Sequence, residues 1–524
     1  MSRKPQSDHA NVTTSSPALL LLVVVFALCF RGLALFYSLD SFASDPDDYK
    51  RLAINWHENG VFGKNQTPTA FRPPVYPLVL KTWYETVAVK VPHNEDTTRS
   101  FDSADVDRNE KTKSVQTSQR PLLSREKIAL EPNAAIALLH WILGVGAVVF
   151  VYLLARRASI GVPCSCVAAL LLTLDPILLQ QSRLVMTETL ATFCAALLLL
   201  LTDIALKSRG RVYDWFCYAS LGAVGALASL CRPTFFLFCA FLGVVLLWQE
   251  GRMKKQYAQD ATIPRWRASD AIRRLCVCIL CGVAILAPWV LRNYRVFGKP
   301  ILATTHGGYT LYLANNEQLY AHYASAQPWG LWNPNAFHNA LESDYQRALQ
   351  DAKVAKGSIE DEILQDKWTR NAAVETIKKN PQWFAYSCFV RFCELWRPLP
   401  QRVEREFGPV NANLLEYARY AVAVFYALEL LLALLGAFKL YRRRKTRQNL
   451  KGATAPNQAD QCVGYVWLAA TCLLLSIQLP HLFYWTNMRM RAPLEVVVVL
   501  LVAVALQKQY NPNNPDNQNN QSSL

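Results

Sequence analysis

Residues 16–39 read SPALLLLVVVFALCFRGLALFYSL, and residues 45–63 read DPDDYKRLAINWHENGVFG. The first stretch is almost wholly apolar. At 1.5 Å per residue a helix of that length crosses a hydrocarbon core of about 30 Å. It is longer than a signal-peptide core and no small-residue cleavage site follows, so it is read as an anchor. The second stretch puts Asp45, Asp47 and Asp48 just where the chain leaves that span. Soon after comes AFRPPVYPL, an arginine before a stiff proline run.

The same apolar pattern recurs along the chain. Blocks at roughly 133–155, 162–182, 186–206, 212–231, 233–249, 273–291, 414–440, 461–484 and 492–508 bring the expected number of spans to about ten. The chain is 52% hydrophobic and 18% charged over 524 residues. These totals and the blocks predict an all-α polytopic membrane protein.

A net charge of +16 raises the possibility of nucleic-acid binding. Its placement excludes that reading. Arg156 and Arg157, then Lys207, Arg209 and Arg211, then residues 252–274 and 442–451 form basic clusters between apolar blocks, the positive-inside pattern of cytoplasmic loops. Both termini are then expected to be cytoplasmic, and segments 40–132 and 293–413 external. The hairpin tip QQSRLVMTE falls on the external side as well.

The 14 cysteines imply no disulfide framework. Most lie inside apolar blocks, and the Cys276, Cys278 and Cys281 spacing has no histidine near it. They are read as small buried residues. Residues 91–130 carry few apolar side chains and are expected to be disordered. Apolar residues at helical spacing in SDYQRALQDAKVAKG and in DEILQDKWTRNAAVETIKKNPQWFAYSCFVRFCELW predict external helices, with Pro381 breaking or restarting the second.

The domain reading is a cytoplasmic tail 1–15, a transmembrane catalytic module 16–291 and a mainly helical external region 292–413. C-terminal spans 414–508 and a low-complexity tail 509–524 complete it.

Three charged groups stand at external span ends: the acids at 45–48, Glu188 in MTETL, and the arginines Arg489 and Arg491 in TNMRMRAPLE. Charges at membrane depth are costly and tend to mark substrate sites. The bland alternatives are helix caps for the acids and snorkelling for the arginines. Together, acids and arginines suit transfer from a phosphate carrier. A carboxylate removes a proton from an acceptor hydroxyl and arginines hold the leaving phosphate.

The order of DPDDYKRLAINWHENGVFG, TAFRPPVYPLVL, LTLDPILLQQSRLVMTETLATF, SLCRPTFFLF, APWVLRNYRVFGKPI, GGYTLYLANNE and RMRAPLEVVVVLLVA resembles the GT-C superfamily of polyprenyl-phosphate-sugar glycosyltransferases. It is most similar to the bacterial branch related to protein O-mannosyltransferases and lipid A aminoarabinose transferases.

The resemblance implies a GT-C-like fold with external juxtamembrane helices. It implies transfer of a sugar from a polyprenyl-phosphate donor to a lipid, glycan or protein hydroxyl on the external face of the inner (plasma) membrane, with inversion. Asp45 is the base it implies, with Asp48 in reserve, and Glu188 a second acid that orients the acceptor or binds a divalent metal. Tyr49, Arg72, Arg292, Arg489 and Arg491 are the implied substrate-binding residues. Pro46 stands where many relatives carry a second acid, which weakens the case for a metal there. A transporter or flippase of a lipid-linked glycan, or a polymerase or ligase of another membrane fold, is the alternative.

Overall fold

The computed structural model describes residues 15–87, 131–207, 211–259, 266–325, 330, 332–401, 412–450 and 458–508. The tails and the 91–130 stretch lie outside them. Almost all of the described chain is helical. Helices satisfy their own backbone polar groups, which an apolar chain in hydrocarbon must do.

The elements run α1 (Ser15–Phe36), α2 (Tyr49–Asn59), β1 (Gly63–Lys64), β2 (Thr67–Pro68), α3 (Val75–Thr86), α4 (Pro132–Arg157), α5 (Val162–Leu174) and α6 (Pro176–Ser182). Next come α7 (Glu188–Lys207), α8 (Arg211–Cys231), α9 (Thr234–Gln259), α10 (Trp266–Phe297), α11 (Gly307–Ala314), α12 (Glu317–Tyr323), α13 (Asn335–Ala352), α14 (Ile359–Lys379) and α15 (Pro381–Trp396). Then follow α16 (Ala412–Leu450), α17 (Gln458–Gln478), α18 (Pro480–Phe483), a 3-10 turn (Met488–Leu494) and α19 (Glu495–Leu506).

Each of the ten apolar blocks is helical. Among the described residues seven helices are long and apolar enough to cross a membrane, or eight with the bent pair α5–α6 as one span. The two remaining blocks are shorter apolar helices, Thr234–Trp248 within α9 and α19. The protein is a multi-pass membrane protein.

Helix α4 packs on α1, α5 and α7, and α7 on α8 and α17, so α4 and α7 form the centre of the bundle. Helices α16 and α19 approach so closely that a Cβ on Gly436 would lie 2.0 Å from the Leu501 carbonyl oxygen. Cys239 and Cys276 are exposed, contrary to the buried role expected of them, although the Cys239 sulfur lies against Gly225 of α8, and no described cysteine is bridged.

Prolines set the breaks that position charged groups. Asp175 ends α5 and caps α6, its side chain accepting from the Leu178 N–H at 2.7 Å, and Pro176 opens α6. The two axes differ by 47°. Pro233 separates α8 from α9 and leaves Arg232 at the break, because proline cannot continue the hydrogen-bond ladder. Pro381 is the first residue of α15, so it restarts a helix rather than ending one.

Outside the spans, α2 and α3 pack together, and the antiparallel β1–β2 pair (Gly63 opposite Pro68) tucks beneath α2. Asn55 of α2 holds that hairpin by donating to the carbonyls of Val61 and Asn65, each at 2.9 Å. Helix α14 lies against α11, where Gly308 N–H donates to Asp366 at 2.6 Å.

Candidate active site

The chain leaves α1 through a short 3-10 turn (Leu39–Ala43) and reverses at Asp48, which has a left-handed backbone (φ 61°). Asp48 precedes α2 but its side chain caps nothing. Asp45 supplies the cap from three residues back, its Oδ2 accepting from the Arg51 N–H at 2.9 Å. Its other oxygen, Oδ1, is buried and has no partner. Burial raises the Asp45 carboxyl from the ordinary 3.8 to about 6, against the hydrogen bond from Arg51 that lowers it; nearby Asp48 adds to the rise.

The two other acids are spoken for. Asp47 pairs with Arg72 at 2.8 Å, and Asp48 pairs with Arg51 at 2.8 Å on the surface. Tyr49 is buried and meets Tyr76 edge-on, their centroids 5.2 Å apart, with the Arg72 guanidinium 5.7 Å above its ring. Arg72 also approaches His306 Nε2 at 3.4 Å. Burial, then the Arg72 charge, lower the His306 imidazole to about 3, so it is neutral at pH 7. Its Nδ1 is buried without a partner.

Glu188 opens α7 and is only 1% exposed. Arg232 reaches it at 3.5 Å and Arg489 at 3.8 Å. The two arginines also meet methionine sulfurs, Arg232 at Met490 (2.9 Å) and Arg489 at Met186 (3.0 Å). These are long ion-pair contacts, and Glu188 Oε2 and Arg489 Nε have no hydrogen-bond partner. Buried donors and acceptors that stay unpaired are costly, which makes this pair of guanidiniums a poor structural device and a good waiting site for an anion.

The two halves belong to one region. Tyr49 senses the charges of Arg72, Asp47 and Glu188, and Tyr76 those of Asp45 and Tyr49. Tyr76 hydroxyl meets His140 Nε2 at 2.8 Å, and His140 in turn senses Glu188.

Of the residues expected from the sequence, Asp45, Tyr49, Arg72, Glu188 and Arg489 gather here, with Asp48 at the rim. Arg292 does not join them. It donates to the carbonyls of Thr69 (2.8 Å) and Phe62 (2.9 Å) and stacks with Phe62, Trp289 and Phe297, tying the hairpin to α10. Arg491 does not either. It is fully buried, bonded to Glu495 (2.7 Å) and to the Arg397 carbonyl (2.9 Å), and lies over the Tyr426 ring.

Arg232 and His306 were missed. Arg232 had a signal, a charge before a proline between two apolar blocks. His306 had none short of the fold. Among the described residues Asp45, Asp47 and Asp48 do not converge as a metal-ligand set, whereas Asp175, Glu429 and Glu495 do.

Residues 126–262, which carry Glu188 and Arg232, match the family model of dolichyl-phosphate-mannose-protein mannosyltransferases. The family resemblance read from the motifs is borne out over that stretch. Two crystal structures of ArnT from Cupriavidus metallidurans, one bound to undecaprenyl phosphate and one in the apo state, are each 13% identical to this chain. Each alignment covers 94% of this chain and 78% of theirs, with TM-scores of 0.38 and 0.35. No curated protein matches the sequence.

Proposed function

We propose that the protein is a membrane glycosyltransferase of the inner (plasma) membrane, moving a sugar from a polyprenyl-phosphate carrier to an acceptor hydroxyl. The observation that carries this reading is Asp45: a half-buried carboxylate whose buried Oδ1 has no partner and whose affinity for protons is raised to about 6, in the same region as two guanidiniums, one with an unpaired donor. The family match at residues 126–262 supports it, because that family is described by a lipid-phosphate sugar donor.

Asp45 Oδ1 takes the proton of the acceptor hydroxyl as its oxygen attacks the anomeric carbon. The bond from that carbon to the carrier phosphate breaks, and the phosphate leaves with the electron pair. Arg489 and Arg232 receive the added negative charge. Direct displacement inverts the anomeric centre. Glu188 holds the two arginines until the phosphate competes for them. Among the described residues no three-carboxylate set converges at this site, and the steps above use only side chains.

A transporter of a lipid-linked glycan gains support from one observation: Asp175, Glu429 and Glu495 are buried in or beside spans. Mass spectrometry of envelope glycolipids and glycoproteins separates the two readings, using cells with the wild-type gene, without it, and with Asp45→Asn. A transferase gives a sugar-modified species lost in both altered strains. The proposal fails if no species changes and the reconstituted protein instead moves intact polyprenyl-phosphate sugar across liposomes.

A further inference from the structure

Outside the residues of that site, three acids from separate elements meet. Asp175 stands at the α5–α6 bend, Glu429 midway along α16, and Glu495 at the start of α19. They are 0%, 3% and 0% exposed, and their nearest carboxylate oxygens all lie within 4.8 Å of one another. Part of the cluster is satisfied. Asp175 Oδ1 accepts from Leu178 N–H (2.7 Å) and from Tyr426 hydroxyl (3.1 Å), and Glu495 Oε1 accepts from Arg491 Nε (2.7 Å).

Four oxygens are not satisfied: Asp175 Oδ2, both oxygens of Glu429, and Glu495 Oε2. Glu429 is therefore wholly without a hydrogen-bond partner while almost wholly buried, and it is aimed at the other two acids. A glutamate in the middle of a span is expensive, and among the described residues no donor reaches this one.

Charge decides what is missing. Arg491 offsets one of the three acids. Arg31, which donates to the Leu172 carbonyl at 2.6 Å, acts on Asp175 through space. Arg31 makes no ion pair with the acids, so two negative charges remain in a water-poor interior. A single shared proton offsets one of them and pairs only two oxygens. A divalent ion offsets both and takes an oxygen from each acid. Calcium holds oxygens at about 2.3–2.6 Å, so ligands on opposite sides stand about 5 Å apart, which the cluster's spacing fits. An all-oxygen set selects calcium, magnesium or manganese over softer metals.

We propose that Asp175, Glu429 and Glu495 bind one divalent cation of this hard class, joining α5–α6, α16 and α19. The ion shares no ligand with the acids at residues 45–48 and is structural rather than catalytic. Its site is continuous with the turn Met488–Leu494 through Arg491, and that turn also carries Arg489. The cation therefore fixes the platform from which Arg489 reaches Glu188. The inference stands whether or not the protein transfers sugar.

The test uses the full chain in detergent, stripped with EDTA and titrated with Mn²⁺ followed by electron paramagnetic resonance. One Mn²⁺ per chain is expected, at roughly 10⁻⁷–10⁻⁵ M, displaced by Ca²⁺ or Mg²⁺. Glu429→Gln should weaken it at least tenfold, whereas Asp48→Asn should leave it unchanged and so exclude the exposed acids. Should Glu429→Gln fail to fold, Glu429→Asp keeps the charge and shortens the reach, and weaker Mn²⁺ binding with an altered signal is expected. No stoichiometric Mn²⁺ on the wild type overturns the proposal. So does unchanged affinity in the Glu429 variants, or an infrared band of a protonated carboxylic acid that persists in Mn²⁺ and disappears in Glu429→Gln.

Discussion

Replacing Asp45 by Asn separates two jobs that this residue performs at once. Its Oδ2 caps the first turn of α2, and its Oδ1 is free. Asn caps about as well as Asp, so the turn should survive. What Asn removes is a carboxylate that burial holds at about 6 instead of 3.8. The unfolded chain ionises near 3.8 and the folded one only near 6, so the folded state binds more protons between these values. Stability from this group therefore falls as pH rises through that window and stays low above it. A change from 3.8 to about 6 corresponds to at most about 3 kcal/mol, less where water reaches the side chain.

Asp45→Asn never bears that cost. At pH 7 it should unfold at a higher temperature than the wild type, and the two should converge toward pH 4. Activity should move the other way. Loss of the base should lower turnover by about 10²–10⁴ with donor binding retained, and the acid limb of the wild-type profile, near pH 6, should vanish. Intrinsic fluorescence of the detergent-solubilised protein during heating reads the first effect, and release of polyprenyl phosphate reads the second. A variant that is less stable at pH 7 and still turns over at the wild-type rate would refute both halves. It would show that Asp45 is a cap whose charge the fold needs.

The two arginines of the Met488–Leu494 turn should part company as lysines. Arg489→Lys should keep the protein folded and weaken donor binding about tenfold or more, because a lysine cannot make the paired contact, whereas Arg491→Lys should lower yield and melting temperature by leaving the Leu395 and Arg397 carbonyls and Glu495 short of donors; ligand affinity and thermal stability of both purified variants check this. Reporter fusions after Leu39 and near Gln350 should report outside, and fusions near Lys207 and Arg444 inside, as the basic clusters require. An inside signal near Gln350 would separate Asp45 and Arg489 onto opposite faces and end the shared-site idea.

The spans were legible because hydrocarbon thickness demands a long apolar run, and a run of that length has one economical backbone. The Arg232–Pro233 break was legible as the boundary between two apolar blocks, whereas Asp175–Pro176 lay inside a block read as one span and its bend came only from the fold. What could not be read was pairing over distance. Glu188 finds Arg232 and Arg489 only through the packing of α7 against α8 and the Met488–Leu494 turn, and no local pattern encodes that. The two arginines of RMRAPLE looked equivalent in sequence. Yet Arg491 stands four residues before Glu495, the spacing that pairs side chains on one helical face, and that alone assigned it to Glu495.

Arg489 lacks such a partner and was left to face Glu188. The turn between them therefore has one arginine committed to the protein and one held by a contact long enough to be exchanged. That asymmetry is what a binding site for a passing phosphate needs: a rigid anchor on one side of the backbone and an unfinished ion pair on the other.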